Sequence, residues 1–192
     1  MPCTVFFTDE EWTVYHKLCE DYARNELEST FAQRNRRNQF NKAAMVHQTT
    51  TGKLAEWGVT LHCMDKSRKI TDPDMVIYKA TKKSFDADLR LDGEDLHVKS
   101  QSVESAQRFG TSWMFQYGGQ GFGHTDPLLK KENGYVAFCV VDFARKAVII
   151  HGICNFDTLR KRLREPVKET LKKTKRCIYL EDLCEDDFLD II

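Results

Sequence analysis

The segment FDADLRLDGEDLHVKSQ, residues 85–101, decides the fold of this chain. Apolar and polar residues alternate on both sides of Asp92-Gly93, and such alternation predicts β-strands with one buried face. Asp-Gly between two alternating runs predicts a tight hairpin turn. We therefore expect two antiparallel strands joined at Asp92-Gly93.

The predicted hairpin carries its charged residues on one face. In the second strand Leu96 and Val98 point to the opposite side, and Leu89 and Leu91 do so in the first strand. A sheet face with this many charges usually meets water or a ligand. The polar positions are Asp86, Asp88 and Arg90, then Asp95, His97, Lys99 and Gln101.

These residues resemble the core of the PD-(D/E)xK nuclease superfamily, which has the restriction-endonuclease-like fold. Asp88 matches the first acid of the motif, and Lys99 in LHVKS matches its lysine. Many members carry a glutamate on the preceding helix, and Glu56 in GKLAEWGV matches that position. Asp74 in Pro73-Asp74 is a rival for the first acid, ranked lower because Asp88 lies on the hairpin.

The resemblance implies a metal-dependent DNA endonuclease using Mg²⁺ or Mn²⁺. Metal ligands would be Asp88, Glu56 and His97. Lys99 would hold the attacking water and offset charge on the phosphate, while Gln101 could contact phosphate or water. The implied catalytic residues are Lys99, Asp88, Glu56, His97 and Gln101.

His97 occupies the position where the superfamily has Asp or Glu. Magnesium prefers oxygen ligands, and imidazole is a poor substitute. Three outcomes are open. His97 could bind a softer ion or lie outside the metal's ligands, Asp86 or Asp95 could supply the carboxylate, or the site could have lost its metal and catalysis.

The order of elements along the chain predicts an α/β or α+β fold with a central mixed sheet. With the resemblance, the expectation is an α/β, restriction-endonuclease-like mixed sheet flanked by helices. Thr8 and Glu11 predict a capping box at the start of a first helix. Further predictions are a strand at MVIY (75–78), a hairpin formed by GYVAFCVVDF and KAVIIHG, and a second helix near 42–64 that breaks at residues 49–52. We expect one domain, 1–192, with a helical segment at about 9–48 and basic then acidic helices at about 155–192.

The charge balance leaves room for a local DNA-binding surface. Lys plus Arg and Asp plus Glu each total 29, so a uniformly basic coat is excluded. The segment from Arg160 to Arg176 is nevertheless dense in cations and predicts phosphate contacts. The residues expected to contact DNA are Arg160, Arg162, Lys172, Lys173 and Lys175.

Composition also bears on location. The sequence has no run of about 18 apolar residues and no secretory signal at its N-terminus, so no membrane partner is expected. Its seven cysteines form no Cys-x-x-Cys pair, which favours free thiols in the cytoplasm, with a zinc site as the alternative.

Two other functions compete with the nuclease. One is a non-catalytic DNA-binding protein on a nuclease-derived fold. The other is a protein-interaction domain that uses Trp113, Phe115 and Tyr117. The symmetry of duplex DNA would favour a homodimer for the enzyme.

Overall fold

The computed structural model describes residues 2–35, 40–78, 87–118 and 125–183. Within these ranges the chain forms seven strands and five α-helices. The strands are β1 (Cys3–Phe6), β2 (Leu89–Leu91), β3 (Glu94–Ser102), β4 (Ser112–Gln116), β5 (Tyr135–Asp142), β6 (Ala147–Asn155) and β7 (Lys175–Tyr179). The helices are α1 (Asp9–Asn35), α2 (Lys42–Asp65), α3 (Val103–Phe109), α4 (Phe156–Arg162) and α5 (Glu169–Lys172).

The central sheet is mixed and has five strands in the order β1-β6-β5-β3-β2. β3 runs parallel to β5, while every other neighbouring pair in this sheet is antiparallel. β4 and β7 form a separate two-stranded antiparallel sheet. The predicted mixed α/β architecture with flanking helices is therefore confirmed.

Alternation along β5 divides the interior between the two faces of the central sheet. Val136 and Phe138 pack with β4, β7 and α4, whereas Ala137 and Cys139 pack with α1 and α2. All four side chains are fully buried, as expected for a strand covered on both faces. The protein is thus layered, with the α1–α2 pair on one face and the small sheet with α4 on the other.

The predicted hairpin is present and turns where the sequence indicated. Leu89 pairs with Leu96, and the two turn residues Asp92 and Gly93 both have positive φ, 51° and 95°. A two-residue turn with positive φ at both positions has the twist that a hairpin needs. The Asp92 carboxylate also pairs with Arg68, so it joins the hairpin to the segment that follows α2.

The first helix and the β5–β6 hairpin also match the sequence predictions. Thr8 and Glu11 form the expected capping box, in which Glu11 N donates to Thr8 Oγ1 at 3.2 Å and Thr8 N to Glu11 Oε2 at 2.8 Å. The turn between β5 and β6 lies at residues 143–146.

Three local predictions are wrong. Residues 75–78 form no strand; instead the Asp74 carboxylate accepts hydrogen bonds from Val76 N and from the Tyr78 hydroxyl, which satisfy this segment locally. α2 continues through residues 49–52 without a break. The side chains of Thr50, Thr51 and Leu54 are buried, and their packing stabilises this part of the helix.

The third correction concerns the end of the basic C-terminal segment, which is a strand and not a helix. Only α4 and the single turn α5 are α-helical between residues 156 and 176. Lys175 and Arg176 belong to β7, whose Cys177 and Ile178 are buried against the small-sheet core. Most of the predicted acidic helix, from 184 to 192, lies outside the described residues, as do Asp86 and much of the glycine-rich segment.

In the part of the chain that the structure describes, no helix combines the length and apolar character needed to cross a bilayer.

Close packing of α2 against β6 predicts a large effect of a methyl group at Gly58. A Cβ at this position would lie 2.5 Å from Val148 Cβ, and Val148 is itself fully buried. We expect Gly58→Ala to lower the free energy of unfolding by about 1 to 3 kcal/mol, as overpacking does in dense cores. Urea denaturation followed by circular dichroism measures this change.

Gly52 is the matched control on the same helix. A Cβ at Gly52 would meet no atom within 4 Å, so Gly52→Ala should raise stability by up to about 1 kcal/mol through helix propensity. Equal effects of the two substitutions would contradict the close approach of α2 to β6.

Candidate functional site

Asp88 lies at the edge of the central sheet, directly before β2, and faces His97 on β3. Its Oδ2 atom accepts a 2.8 Å hydrogen bond from Val98 N and lies 3.7 Å from His97 Nδ1. The antiparallel register places Leu89 opposite Leu96, which brings the residue before β2 level with His97. The predicted proximity of Asp88 and His97 is therefore observed.

His97 is enclosed by charged neighbours on the face that carries α4. Its Nε2 atom lies 3.4 Å from Lys131 Nζ, and its ring lies 5.9 Å from that of Phe156. Burial lowers the pKa of His97, and the Asp88 carboxylate opposes this shift only in part. A neutral imidazole can accept from Lys131 at Nε2 and direct its Nδ1 proton towards Asp88. Both ring nitrogens therefore already face protein groups.

Lys99 lies two residues further along β3, on the same face as His97. Its ammonium pairs with Asp126 at 3.0 Å and lies 5.0 Å from the centre of the Phe115 ring. The side chain is 28% exposed, so it can reach solvent or a ligand. The carboxylate that contacts Lys99 is thus that of Asp126, not that of Asp88.

Gln101 connects β3 to the small sheet. With its amide oriented to satisfy both groups, its nitrogen donates to Ser112 O and its oxygen accepts from Ser112 N, each at 3.1 Å. These bonds hold β4 against the central sheet. A phosphate contact by Gln101 would compete with them.

Glu56 is buried on α2, with 6% of its surface exposed. Its Oε2 atom accepts from Lys53 Nζ at 2.8 Å, one turn earlier on the same helix. Burial raises the pKa of Glu56 to about 8, Lys53 opposes the shift, and the carboxylates of Asp88 and Asp74 add to it. Glu56 and Asp88 are therefore close enough to repel each other.

Asp88 thus links two groups of side chains. On the helix side it acts on the Lys53–Glu56 pair, and on β3 it acts on His97. Lys99 and Asp126 also act on His97. Of the residues predicted from the nuclease motif, Glu56 and His97 are therefore connected electrostatically through Asp88, and Lys99 acts on His97.

The two other candidate acids in the described ranges have their own partners. Asp74 accepts hydrogen bonds from Val76 N and from the Tyr78 hydroxyl, at 2.8 and 2.7 Å. Asp95 pairs with Lys131 at 2.6 Å, and the hydrogen bond from Lys131 holds the pKa of that carboxyl below its usual range.

The donor chemistry suits a hard cation, although the groups do not yet converge. Glu56 and Asp88 offer carboxylate oxygens, which Mg²⁺ and Mn²⁺ prefer, and the raised pKa of Glu56 comes mainly from burial, with a contribution from the charge of Asp88. Within residues 2–35, 40–78, 87–118 and 125–183, no group of three or more His, Cys, Asp or Glu side chains is arranged to hold a metal ion. An ion would therefore have to draw these carboxylates together.

The five residues expected to contact DNA lie on three different elements. Arg160 and Arg162 lie on α4, Lys172 ends α5, Lys173 is exposed beyond it, and Lys175 begins β7. Arg160 pairs with Asp157, and Lys172 pairs with Glu169.

Lys175 is the member of this set that lies beside the catalytic candidates. Burial lowers its pKa, the charge of Lys99 adds to this shift, and Asp126 opposes it. The fold therefore brings Lys175 within electrostatic reach of Lys99, from 76 positions further along the sequence.

Sequence reasoning missed Lys53, Asp126 and Lys131. Lys53 could have been found, because an acid and a base three positions apart on a helix are neighbours. Asp126 and Lys131 lie in the connection between β4 and β5, 27 and 34 residues from their partners on β3. Nothing in the spacing of the sequence indicates those contacts.

In comparisons with known proteins, no family model, no curated protein and no solved structure matches the chain.

The buried acid on α2 predicts a pH dependence of stability. Since the pKa of Glu56 is about 8 in the folded protein and its ordinary value is 4.5, the folded state retains a proton between those values that the unfolded state has lost. The contribution of Glu56 to stability must therefore fall as pH rises from about 4.5 to 8. Each unit of pKa difference is worth about 1.4 kcal/mol.

Glu56→Gln replaces the carboxyl by a neutral amide of the same shape. Relative to this variant, the wild type should lose stability steadily between pH 5 and pH 8, which urea midpoints at several pH values measure. Wild-type and variant curves that stay parallel across this range would contradict the raised pKa.

Proposed function

We propose that this protein is a metal-dependent DNA endonuclease, with its reaction centre at the sheet edge around Asp88. The observation that carries the proposal is the position of Asp88, which lies 3.7 Å from His97 and whose charge also acts on Glu56; these residues, with Lys99 on the same face as His97, resemble the nuclease motif. Ionisable groups with shifted pKa values cluster at functional sites, which supports this assignment.

Glu56 and Asp88 are the residues that would hold the ion. When bound, Mg²⁺ or Mn²⁺ would polarise the scissile phosphate and lower the pKa of a bound water molecule. In the tautomer protonated at Nδ1, His97 points this proton towards Asp88 at 3.7 Å and its Nε2 atom towards Lys131 at 3.4 Å. It thereby orients Asp88, which favours the alternative that His97 lies outside the metal's ligands.

To contact a phosphate, Lys99 would have to give up its present ion pair with the Asp126 carboxylate. Its ammonium already pairs with a carboxylate at 3.0 Å, and a phosphate oxygen would take the place of Asp126. A cation beside the scissile group offsets the charge that builds on the phosphorus oxygens. Lys175 would add a second positive charge for a phosphate of the same strand.

A non-catalytic DNA-binding protein is the second candidate. The pairing of Lys99 with Asp126 and the incomplete convergence of the carboxylates favour it. In either case the partner is DNA, with a two-fold dimer as the assembly suited to duplex substrates and the cytoplasm as the location.

Removal of the Lys99 ammonium should abolish most cleavage. We expect wild type to cleave plasmid DNA with Mg²⁺ or Mn²⁺ but not with EDTA, and Lys99→Ala to reduce the rate by at least about 100-fold. Gel-based cleavage assays measure the rate, and circular dichroism verifies the fold.

Lys146→Ala is the matched control for that experiment. Lys146 also forms a lysine–aspartate pair, with Asp9 at 2.8 Å, but it lies in the β5–β6 turn. Its cleavage rate should equal that of wild type. Equal rates for Lys99→Ala and wild type would remove Lys99 from the reaction. DNA binding without cleavage by wild type would favour the non-catalytic alternative.

The basic residues should contribute to DNA binding by neutralising phosphates. Replacing Lys173 and Lys175 by Gln should reduce the slope of log K against log salt by about 0.9 for each phosphate that is no longer neutralised. Fluorescence anisotropy with a labelled duplex, titrated at several salt concentrations, measures the slope.

Lys146→Gln again serves as the control and should leave the slope unchanged. A slope that is the same in the Lys173/Lys175 double variant and in wild type would show that these residues are only a solvated surface.

A further inference from the structure

The Lys53 side chain is unusually well enclosed for a lysine. Only 12% of the side chain is exposed, its ammonium lies 5.1 Å from the centre of the Tyr22 ring on α1, and it donates to Glu56 Oε2 at 2.8 Å. Enclosing an ammonium is costly unless its charge is compensated. The pair therefore fixes a positive charge beside the most deeply buried carboxylate of the network.

That positive charge faces more than one anion. Glu56 acts most strongly on Lys53, and Asp88 acts on it as well, while Asp88 and Asp74 both act on Glu56. Lys53 thus neutralises part of a group of carboxylates that repel one another. A divalent cation held by Glu56 and Asp88 would do the same, but with twice the charge.

Two cations cannot both stay close to Glu56 at little cost. Like charges a few ångströms apart repel strongly where water is partly excluded. If an ion binds at Glu56, the Lys53 ammonium must give up Oε2 or remain beside the ion at a cost in affinity. In both cases the lysine lowers the affinity of the site for the ion.

We propose that Lys53 is the internal counter-ion of the ionised Glu56 carboxylate in the metal-free protein and that a divalent ion must displace it to bind. Lys53 is then a positioning residue that holds the site closed to weakly bound cations and sets the ion concentration at which the enzyme becomes active. The inference rests on the proposed metal-dependent function, since it concerns the same carboxylates.

Direct titration with Mn²⁺ tests the proposal without any DNA. The electron paramagnetic resonance signal of free Mn²⁺ reports binding to the full-length protein. We expect Lys53→Gln to bind Mn²⁺ at least about fivefold more tightly than wild type, because a neighbouring positive charge is removed. Lys53→Arg keeps the charge and should bind with wild-type affinity, as should Lys146→Gln. In Lys53→Gln/Glu56→Gln, the gain should disappear.

A loss of fold in Lys53→Gln would have a defined interpretation. If the variant is unfolded without metal, Mn²⁺ should restore its circular dichroism spectrum, because the ion then replaces the missing ammonium. A variant that stays unfolded at Mn²⁺ concentrations that saturate wild type would overturn the proposal.

The outcomes separate this inference from the proposed function. Wild type that binds Mn²⁺ while Lys53→Gln binds equally or more weakly overturns the displacement of Lys53 alone. Absence of Mn²⁺ binding by every variant overturns both proposals. Tighter binding by Lys53→Gln without cleavage by any variant supports the counter-ion and overturns the nuclease.

Discussion

The two-residue periodicity of β3 is the constraint on which the arrangement depends. Leu96 and Val98 pack towards α1 and α2, and this packing forces His97 and Lys99 onto the opposite face. A shift of the strand by one residue would bury both charges and expose both apolar side chains. β3 is also the strand that joins the antiparallel hairpin to the parallel neighbour β5, so its register fixes both sides of the sheet at once.

Asp88 matters because the two faces of the sheet meet at its position. It precedes the edge strand β2, so its carboxylate influences Glu56 on the helix side and His97 on the other. The buried interior on either face of the sheet could not hold such a residue, because an unpaired charge there costs too much free energy.

The hairpin, its turn and the polar face of β3 could be predicted because they depend on residues adjacent in sequence. The turn at Asp92-Gly93 and the pairing of Asp88 with His97 follow from two-residue periodicity and the known geometry of tight turns. The helix predicted for the end of the basic segment was wrong. Its charge pattern suits a helix, but burial of Cys177 and Ile178 favours the strand β7 instead. The Lys99–Asp126 pair depends on how the connection between β3 and β5 folds back, and local patterns carry no information about that path.

The pairing of β1 with β6 has a consequence for synthesis of the protein. Cys3 lies opposite Ile150, so β1 finds its neighbour only after all the residues between them have left the ribosome. α1 and α2 contact each other and can associate early. Their apolar face, however, stays exposed until β5 and β6 pack against it. The nascent chain therefore carries exposed apolar surface until β6 has been synthesised. Chaperone binding at that stage would protect α1 and α2 until β6 completes the sheet.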